Sequence, residues 1–325
     1  MQKTLDAKLE KIRQGRYQPA DFIIADAKDG DMGNGIFAPG PRPGDLNRAK
    51  SFPEYLDAMR EMTRSGGVDI MLMSASAAEE LTREGLFEES AVTPAVRLND
   101  TSDIWGMRHA SYKSLPARNY RSADLEEVNE FVDLGLYSVT FSNDLERDLD
   151  TLNQFQSFLE ECSFFDLRYF LEVFNPQFEI GIPAEKVPEY VNDCIVRTLA
   201  GLTSRDRPLF LKMPFNGAKA MEELSSYNPG KLIVGVLGGA QGTTRDTFEL
   251  VRQSERHGAR VALFGRKINL AEAPLKLVEM MRAVVEGQLD SDEAVRAYHG
   301  HLQEQGIAPL RPLEDDLQVT EPLLQ

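Results

Sequence analysis

Short apolar runs alternate with amphipathic stretches along most of the chain. The runs that we interpret as strands cover residues 21–27, 68–74, 94–99, 136–142, 167–174, 207–213, 231–238 and 260–266. The stretches between them carry apolar residues at helical spacing, and several begin near Ser, Asp or Thr and end in Gly, as capped helices do. The pattern therefore predicts eight consecutive strand–helix units.

Eight such units predict an α/β fold, a single (β/α)8 TIM barrel. Runs that are apolar on both faces are typical of parallel strands covered by helices, and 325 residues suit this fold. We expect one domain over residues 1–325, with the barrel at about 20–287 and an extra helix and acidic tail over 288–325. A doubly wound open sheet is the structural alternative.

The composition indicates which binding partners and which cellular compartment to expect for the protein. The net charge of −16 argues against nucleic acid as a partner. The two cysteines, Cys162 and Cys194, form no C-x-x-C pair, which fits a reducing compartment. Without an apolar leader or a run of ~18 apolar residues, we expect no membrane association and a cytoplasmic protein. A homo-oligomer is also expected, and the tail could cover a neighbouring subunit or be free.

Charged residues interrupt three of the predicted strands. Asp26 ends the first, Glu172 lies within the fifth, and Lys212 lies near the end of the sixth, in LFLKMPFNG. Buried charges are costly unless they offset one another, so we expect the three to meet at the carboxyl end of the barrel. A lysine in a dry site can lose its proton and form a Schiff base, with carboxylates as proton shuttles. The alternatives are a buried ion-pair network without chemistry and a lysine that reaches solvent.

The loops after the last two predicted strands are rich in glycine. They read LGGAQGTT and FGRKIN and contribute Gly238, Gly239, Gly265 and Arg266. In barrel enzymes these two loops commonly bind phosphate, because glycines let backbone N–H groups approach the anion. The alternative is a pair of tight turns with a surface arginine.

Two long loops, 28–50 and about 100–122, should open on the same face of the barrel. The second carries a basic group that fits either a solvated loop or anion recognition, made of Arg108, His109, Lys113, Arg118 and Arg121. The sequence gives little support for a metal or nicotinamide site. No H-x-H ends the first strand, and no G-x-G-x-x-G follows it.

The order of these residues resembles class I aldolases of the DeoC/LacD superfamily, in particular the tagatose-1,6-bisphosphate and archaeal-type fructose-1,6-bisphosphate aldolases. The segments that carry the resemblance are IIADAKDG, YFLEVFNP, LFLKMPFNG, VLGGAQ and LFGRKIN. By this resemblance Lys212 is the Schiff-base lysine, Glu172 the acid–base group and Asp26 a second acid–base or orienting group. Lys28 and the residues of the last two loops hold a substrate phosphate.

The resemblance implies a metal-independent aldolase without a cofactor that acts on a phosphorylated ketose or keto compound. The sequence departs from the family at two places. Phe174 and Asn175 lie where the archaeal type has a tyrosine proton donor, and FSND at the fourth strand end lacks the lysine of the tagatose type. A transaldolase, a thiolase-like enzyme and a non-catalytic barrel that binds a phosphorylated metabolite are the alternatives.

Overall fold

The structure, a computed structural model, describes residues 2–42 and 45–325. Its central sheet has eight parallel strands, in chain order β1 Ile23–Lys28, β2 Ile70–Met73, β3 Thr93–Arg97, β4 Leu134–Thr140, β5 Arg168–Phe174, β6 Leu211–Lys212, β7 Gly235–Leu237 and β8 Val261–Phe264. Neighbours in sequence are neighbours in space, and β8 returns to β1. A parallel bridge between Met213 and Val236 joins β6 to β7 and closes the ring. The predicted (β/α)8 barrel is confirmed.

Helices surround the strands. They span Thr4–Arg13, Phe52–Ser65, Ala75–Arg83, Leu125–Asn129, Leu145–Phe165, Val187–Ala200, Ala218–Tyr227, Thr244–Arg256, Pro274–Val285 and Ser291–Glu304, with short turns at Asp31–Asn34, Arg266–Asn269 and Leu313–Asp316. Capping residues fix where two of these helices begin. Ser51 forms a capping box with Glu54, and Thr243 forms one with Asp246. None of the helices in the described ranges is both long and apolar enough to span a bilayer.

Alternate residues of each strand face opposite sides, which produces two apolar cores. On β1, Ile23 and Ala25 belong to the small core inside the barrel. Ile24, between them, belongs to the large core between the strands and the helices. Leu5 and Leu9 of the first helix complete the inner core.

Both long loops form small antiparallel ribbons at the carboxyl end of the barrel. Pro41–Arg42 pairs with Asp45–Ala49 after β1, and Asn99–Thr101 pairs with Asn119–Arg121 after β3. Their position agrees with the expectation from the sequence.

The acidic tail packs on its own chain. Asp246 accepts hydrogen bonds from the backbone of Thr320 and Glu321 and from the Thr320 hydroxyl. The last apolar residue, Leu324, is buried. We call residues 313–325 the C-terminal strap; it passes close behind the loops that follow β7 and β8.

Candidate active site

Lys212 and Glu172 lie side by side inside the barrel. They are register partners on the neighbouring strands β6 and β5, and each belongs to the inward-facing set of its strand, as Phe210 and Phe170 do. The Lys212 Nζ lies 2.7 Å from Glu172 Oε1, and both side chains are almost fully buried. The sequence prediction that these two groups meet is therefore realised in the structure, while their chemical roles stay a prediction.

Arg97 of β3 joins this pair to a second carboxylate. Its Nη2 lies 2.8 Å from Glu172 Oε2, and its Nε lies 2.5 Å from Asp29 Oδ2. Ser138 of β4 completes the cluster, because its hydroxyl donates to Glu172 Oε2 at 2.8 Å and accepts from Arg97 Nη1 at 2.7 Å. Two cations and two carboxylates thus share one buried network, in which the charges balance.

The electrostatics of the network favour the ionised forms of Asp29 and Arg97. Burial opposes the charge on Asp29, but the Arg97 guanidinium and the Lys212 ammonium outweigh it and lower the pKa of the Asp29 carboxyl below its ordinary value. Burial likewise opposes the charge on Arg97. Asp29 and Glu172 reverse that effect and raise the pKa of Arg97 above its usual range. Arg97 therefore stays charged and holds both carboxylates in place.

Asp26 does not join the cluster as the sequence led us to expect. It faces the outer core, as its register partners Met71 and Phe264 do. There its Oδ2 lies 2.9 Å from Lys28 Nζ, a contact without hydrogen-bond geometry. Burial raises the pKa of the Asp26 carboxyl, and Lys28 offsets this only in part. The carboxylate that reaches Lys212 from this part of the chain is Asp29. It lies three residues after Asp26 and faces the cavity instead of the outer core.

Lys28 also lies outside the cavity wall. Its Nζ donates to Asn269 Oδ1 at 3.3 Å, and Asn269 in turn donates to the carbonyl of Ala38 at 2.9 Å. Lys28 thereby ties β1 to the turn after β8 from behind. A direct phosphate contact, as predicted for Lys28, has no support from this placement.

A cavity of about 530 Å³ opens at the carboxyl end of the barrel. Six of the eight predicted site residues lie in its wall: Glu172, Lys212, Gly238, Gly239, Gly265 and Arg266. Asp29 and Arg97 lie there too. Two larger cavities, of 690 and 750 Å³, border the opposite strand ends near Thr93 and Arg168. Barrel enzymes build their active sites at the carboxyl end, so we assign the site to the smaller cavity.

Glycines and Arg266 form much of the β7 and β8 side of the cavity. Gly239 has φ +67°, which side chains with a Cβ rarely adopt, and a Cβ at Gly265 would lie 2.9 Å from the carbonyl oxygen of Ala27. Arg266 is exposed, and within residues 2–42 and 45–325 no carboxylate pairs with it. This side presents backbone and a guanidinium to the cavity.

Buried contacts hold these two loops together. Lys267 donates to the carbonyl of Gln241 at 3.3 Å and pairs with Glu321 of the C-terminal strap at 2.8 Å. The Gln241 amide donates to the carbonyl of Leu270. The strap therefore supports the glycine loops from the outside of the barrel.

Of the five basic residues in the loop after β3, one lies in the cavity wall. Lys113 lies in the cavity wall, whereas the Arg108 guanidinium stacks 4.6 Å from the ring centre of Phe37. Arg121 pairs with Glu161 on an outer helix. Anion recognition by this loop remains a prediction, now confined to Lys113.

Sequence reasoning missed Asp29, Arg97 and Ser138. Arg97 carries the same signal that drew attention to Lys212, a charge inside an apolar strand. No group of three or more His, Cys, Asp or Glu side chains in the described part of the chain has the geometry of a metal site.

Comparison with known proteins adds likeness of fold. No protein-family model and no curated protein matches the sequence. An archaeal fructose 1,6-bisphosphate aldolase matches with a TM-score of 0.63 and 16% identity over 87% of this chain and 99% of that one. An archaeal fructose-1,6-bisphosphate aldolase with its catalytic Lys bound to a carbinolamine intermediate matches with a TM-score of 0.62, 16% identity and the same coverage.

The fructose-bisphosphate aldolase from Slackia heliotrinireducens matches with a TM-score of 0.66 and 14% identity, over 92% of this chain and 90% of that one. At such identities the likeness shows the barrel fold alone.

Proposed function

We propose that the protein is a metal-independent class I aldolase, a carbon–carbon lyase that forms a Schiff base between Lys212 and a phosphorylated ketose or keto compound. The observation that carries the proposal is the buried Lys212–Glu172 contact of 2.7 Å in the wall of the cavity. A fold neighbour whose catalytic lysine is bound to a carbinolamine supports it. A network that served stability alone would not need to line a cavity.

The contact distance suits proton transfer during imine formation. Glu172 Oε1 takes the proton of Lys212, and the neutral amine attacks the substrate carbonyl carbon. The carbonyl π electrons move to oxygen, which takes a proton from the attacking nitrogen to give a carbinolamine. The same carboxyl returns the proton to the carbinolamine hydroxyl, which leaves as water and produces an iminium. The iminium then accepts the electron pair of the bond between the α and β carbons as the β-hydroxyl loses its proton to a base, so that an aldehyde departs and an enamine remains on Lys212.

The substrate phosphate is proposed to bind on the β7 and β8 side. Gly238, Gly239 and Gly265 expose backbone there, and the Arg266 guanidinium has no carboxylate partner among the described residues. A phosphate dianion would supply the negatively charged partner that the Arg266 guanidinium lacks among the described residues. Lys113, across the cavity mouth, is a candidate for a second anionic group.

Aldol cleavage of a panel of phosphorylated ketoses, measured with EDTA present, tests the proposal. We expect aldehyde release by the wild type, no inhibition by EDTA, and a mass increase after borohydride treatment with the substrate. The Lys113→Met variant, which keeps the buried cluster, should still form the borohydride adduct, while the loss of a contact to a second anionic group raises its KM. Absence of both turnover and adduct across the panel would contradict the proposal and favour a binding protein.

Product analysis separates the related chemistries. An acceptor aldehyde would be consumed by a transaldolase, and coenzyme A would be acylated by a thiolase-like enzyme. We expect the rate of aldehyde release to be independent of coenzyme A.

A further inference from the structure

One buried carboxyl in the cavity wall is not used by the network around Lys212. Asp103 lies in the short turn Ser102–Ile104 after β3, is fully buried, and forms part of the wall. Its Oδ1 accepts a hydrogen bond from the Thr140 hydroxyl at 3.3 Å, whereas its Oδ2 has no partner in the part of the chain that the structure describes. A buried oxygen without a partner costs stability unless an incoming group binds it.

The position of Asp103 along the barrel axis follows from its contact with Thr140. Thr140 is two residues beyond Ser138 on β4, and Ser138 donates to Glu172 at 2.8 Å. Two strand residues advance about 7 Å. Asp103 therefore lies above the level of the Lys212–Glu172 contact, towards the cavity mouth.

Aldol chemistry needs a proton-transfer group at that height. When the substrate carbonyl carbon is bonded to Lys212, the hydroxyl that becomes the aldehyde is two carbons away. A group that serves this hydroxyl has to lie beyond the lysine. Glu172 is ill placed for it, because Lys212, Arg97 and Ser138 already occupy both of its oxygens.

The charges around Asp103 favour its protonated form. Burial raises the pKa of the Asp103 carboxyl, and the nearby Glu172 raises it further, while hydrogen bonds from Thr101 and Thr140 act in the opposite direction. No cation is paired with Asp103 in the described ranges. Its environment thus contrasts with that of Asp29, where Arg97 favours the charge.

We infer that Asp103 is the acid–base residue at the aldehyde oxygen, an assignment that rests on the proposed aldolase function. In condensation, the enamine carbon bonds to the aldehyde carbon, and the carbonyl π electrons move to oxygen, which takes the proton from Asp103 Oδ2. The products are an alcohol, an iminium on Lys212 and an Asp103 carboxylate. In cleavage, the carboxylate removes the hydroxyl proton and the C–C electron pair returns to the enamine.

The Asp103→Asn variant separates this step from imine formation. General acid–base catalysis contributes 10²- to 10⁴-fold, so we expect kcat for cleavage to fall by about that factor. The yield of the borohydride adduct with a substrate should stay within about twofold of wild type, because the Lys212–Glu172 contact is untouched. The pH dependence of kcat that belongs to Asp103 should disappear.

Asp100→Asn is the matched control. Asp100 lies in the same ribbon, is buried and accepts a hydrogen bond from Trp105 Nε1, but it is not part of the cavity wall. Its activity should stay near that of wild type. In the Asp103→Ala variant, formate added as a small external acid should restore part of the turnover, which a merely structural role would not allow.

The outcomes are distinguishable. If Asp103→Asn turns over with the wild-type rate and pH profile, or if it loses the adduct as well as turnover, the assignment of Asp103 is wrong. Failure of formate to restore turnover in a folded Asp103→Ala protein would also contradict it. Absence of an adduct in the wild type would instead remove the proposed function, and with it the basis of this inference.

Discussion

The two sides of the cavity are built in opposite ways. On one side, charged groups from β3, β5, β6 and the end of β1 are buried and paired with one another, namely Arg97, Glu172, Lys212 and Asp29. Around β7 and β8, glycines expose backbone, and the one guanidinium, Arg266, has no carboxylate partner among the described residues. The first side holds groups ready for proton transfer, and the second leaves a charge for a ligand to neutralise. A bifunctional substrate would span the two.

Loss of Lys212 is expected to have the largest effect on activity. Lys212→Met should reduce turnover to background, a loss of about 10⁴-fold or more, because no other amine replaces a covalent nucleophile. Binding of a phosphorylated ligand to the β7 and β8 side should survive. Steady-state rates and ligand-induced shifts in melting temperature check the two halves of the prediction. Residual turnover above one per cent of wild type would contradict it.

The next test compares stability on the two sides. Arg97→Met leaves Asp29 and Glu172 without their shared cation, so we expect the free energy of unfolding to fall by about 3–5 kcal/mol. Arg266→Met, on the open side, removes an exposed side chain and should change it by less than about 0.5 kcal/mol. Urea unfolding of both variants measures the difference. Equal effects would show that the two sides are not built differently.

Arg266→Met should act on substrate binding instead. The loss of one charge-assisted phosphate contact is worth about 1.5–3 kcal/mol, which corresponds to a KM raised by roughly 10- to 150-fold with little change in kcat. A substrate without the phosphate should show no such change. Steady-state kinetics with the paired substrates decides, and an equal rise in KM for both would place the phosphate elsewhere.

The smallest effect is the pH dependence of the paired side. The pKa of Asp29 is lowered in the folded protein, so its stabilising contribution is present above the ordinary aspartate value of about 3.9 and is lost as the pH falls through the folded value. The stability advantage of wild type over Asp29→Asn should therefore be full at pH 7 and shrink below about pH 4. Urea unfolding across this range measures the difference in the free energy of unfolding between the two proteins. A difference that grew as the pH fell would contradict the prediction.

The barrel itself could be predicted from the sequence because its signal is repeated. Eight apolar runs with helical stretches between them leave few folds open, and all eight appear as strands. The meeting of Lys212 with Glu172 also followed, since consecutive strands of a barrel are neighbours. Here each charged residue interrupts an otherwise apolar strand.

Whether a strand residue faces the inside of the barrel or the surrounding helices could not be predicted in the same way. Strands that are apolar on both sides show no alternation, so Asp26 and Asp29 were indistinguishable in IIADAKDG, and one is buried against helices while the other faces the cavity. Asp103 lies in a loop, where no periodic pattern exists. Its contact with Thr140 depends on the path of the ribbon after β3.

The proposed function requires a covalent bond between the substrate and Lys212. Borohydride reduction of the wild-type protein with a phosphorylated ketose, followed by peptide mass spectrometry, detects this bond. Lys28 is the internal control, because it is a second buried lysine at the same end of the barrel but lies outside the cavity wall. We expect a reduced adduct on the peptide that contains Lys212 and none on Lys28. An adduct spread over several lysines, or none on Lys212, would contradict it.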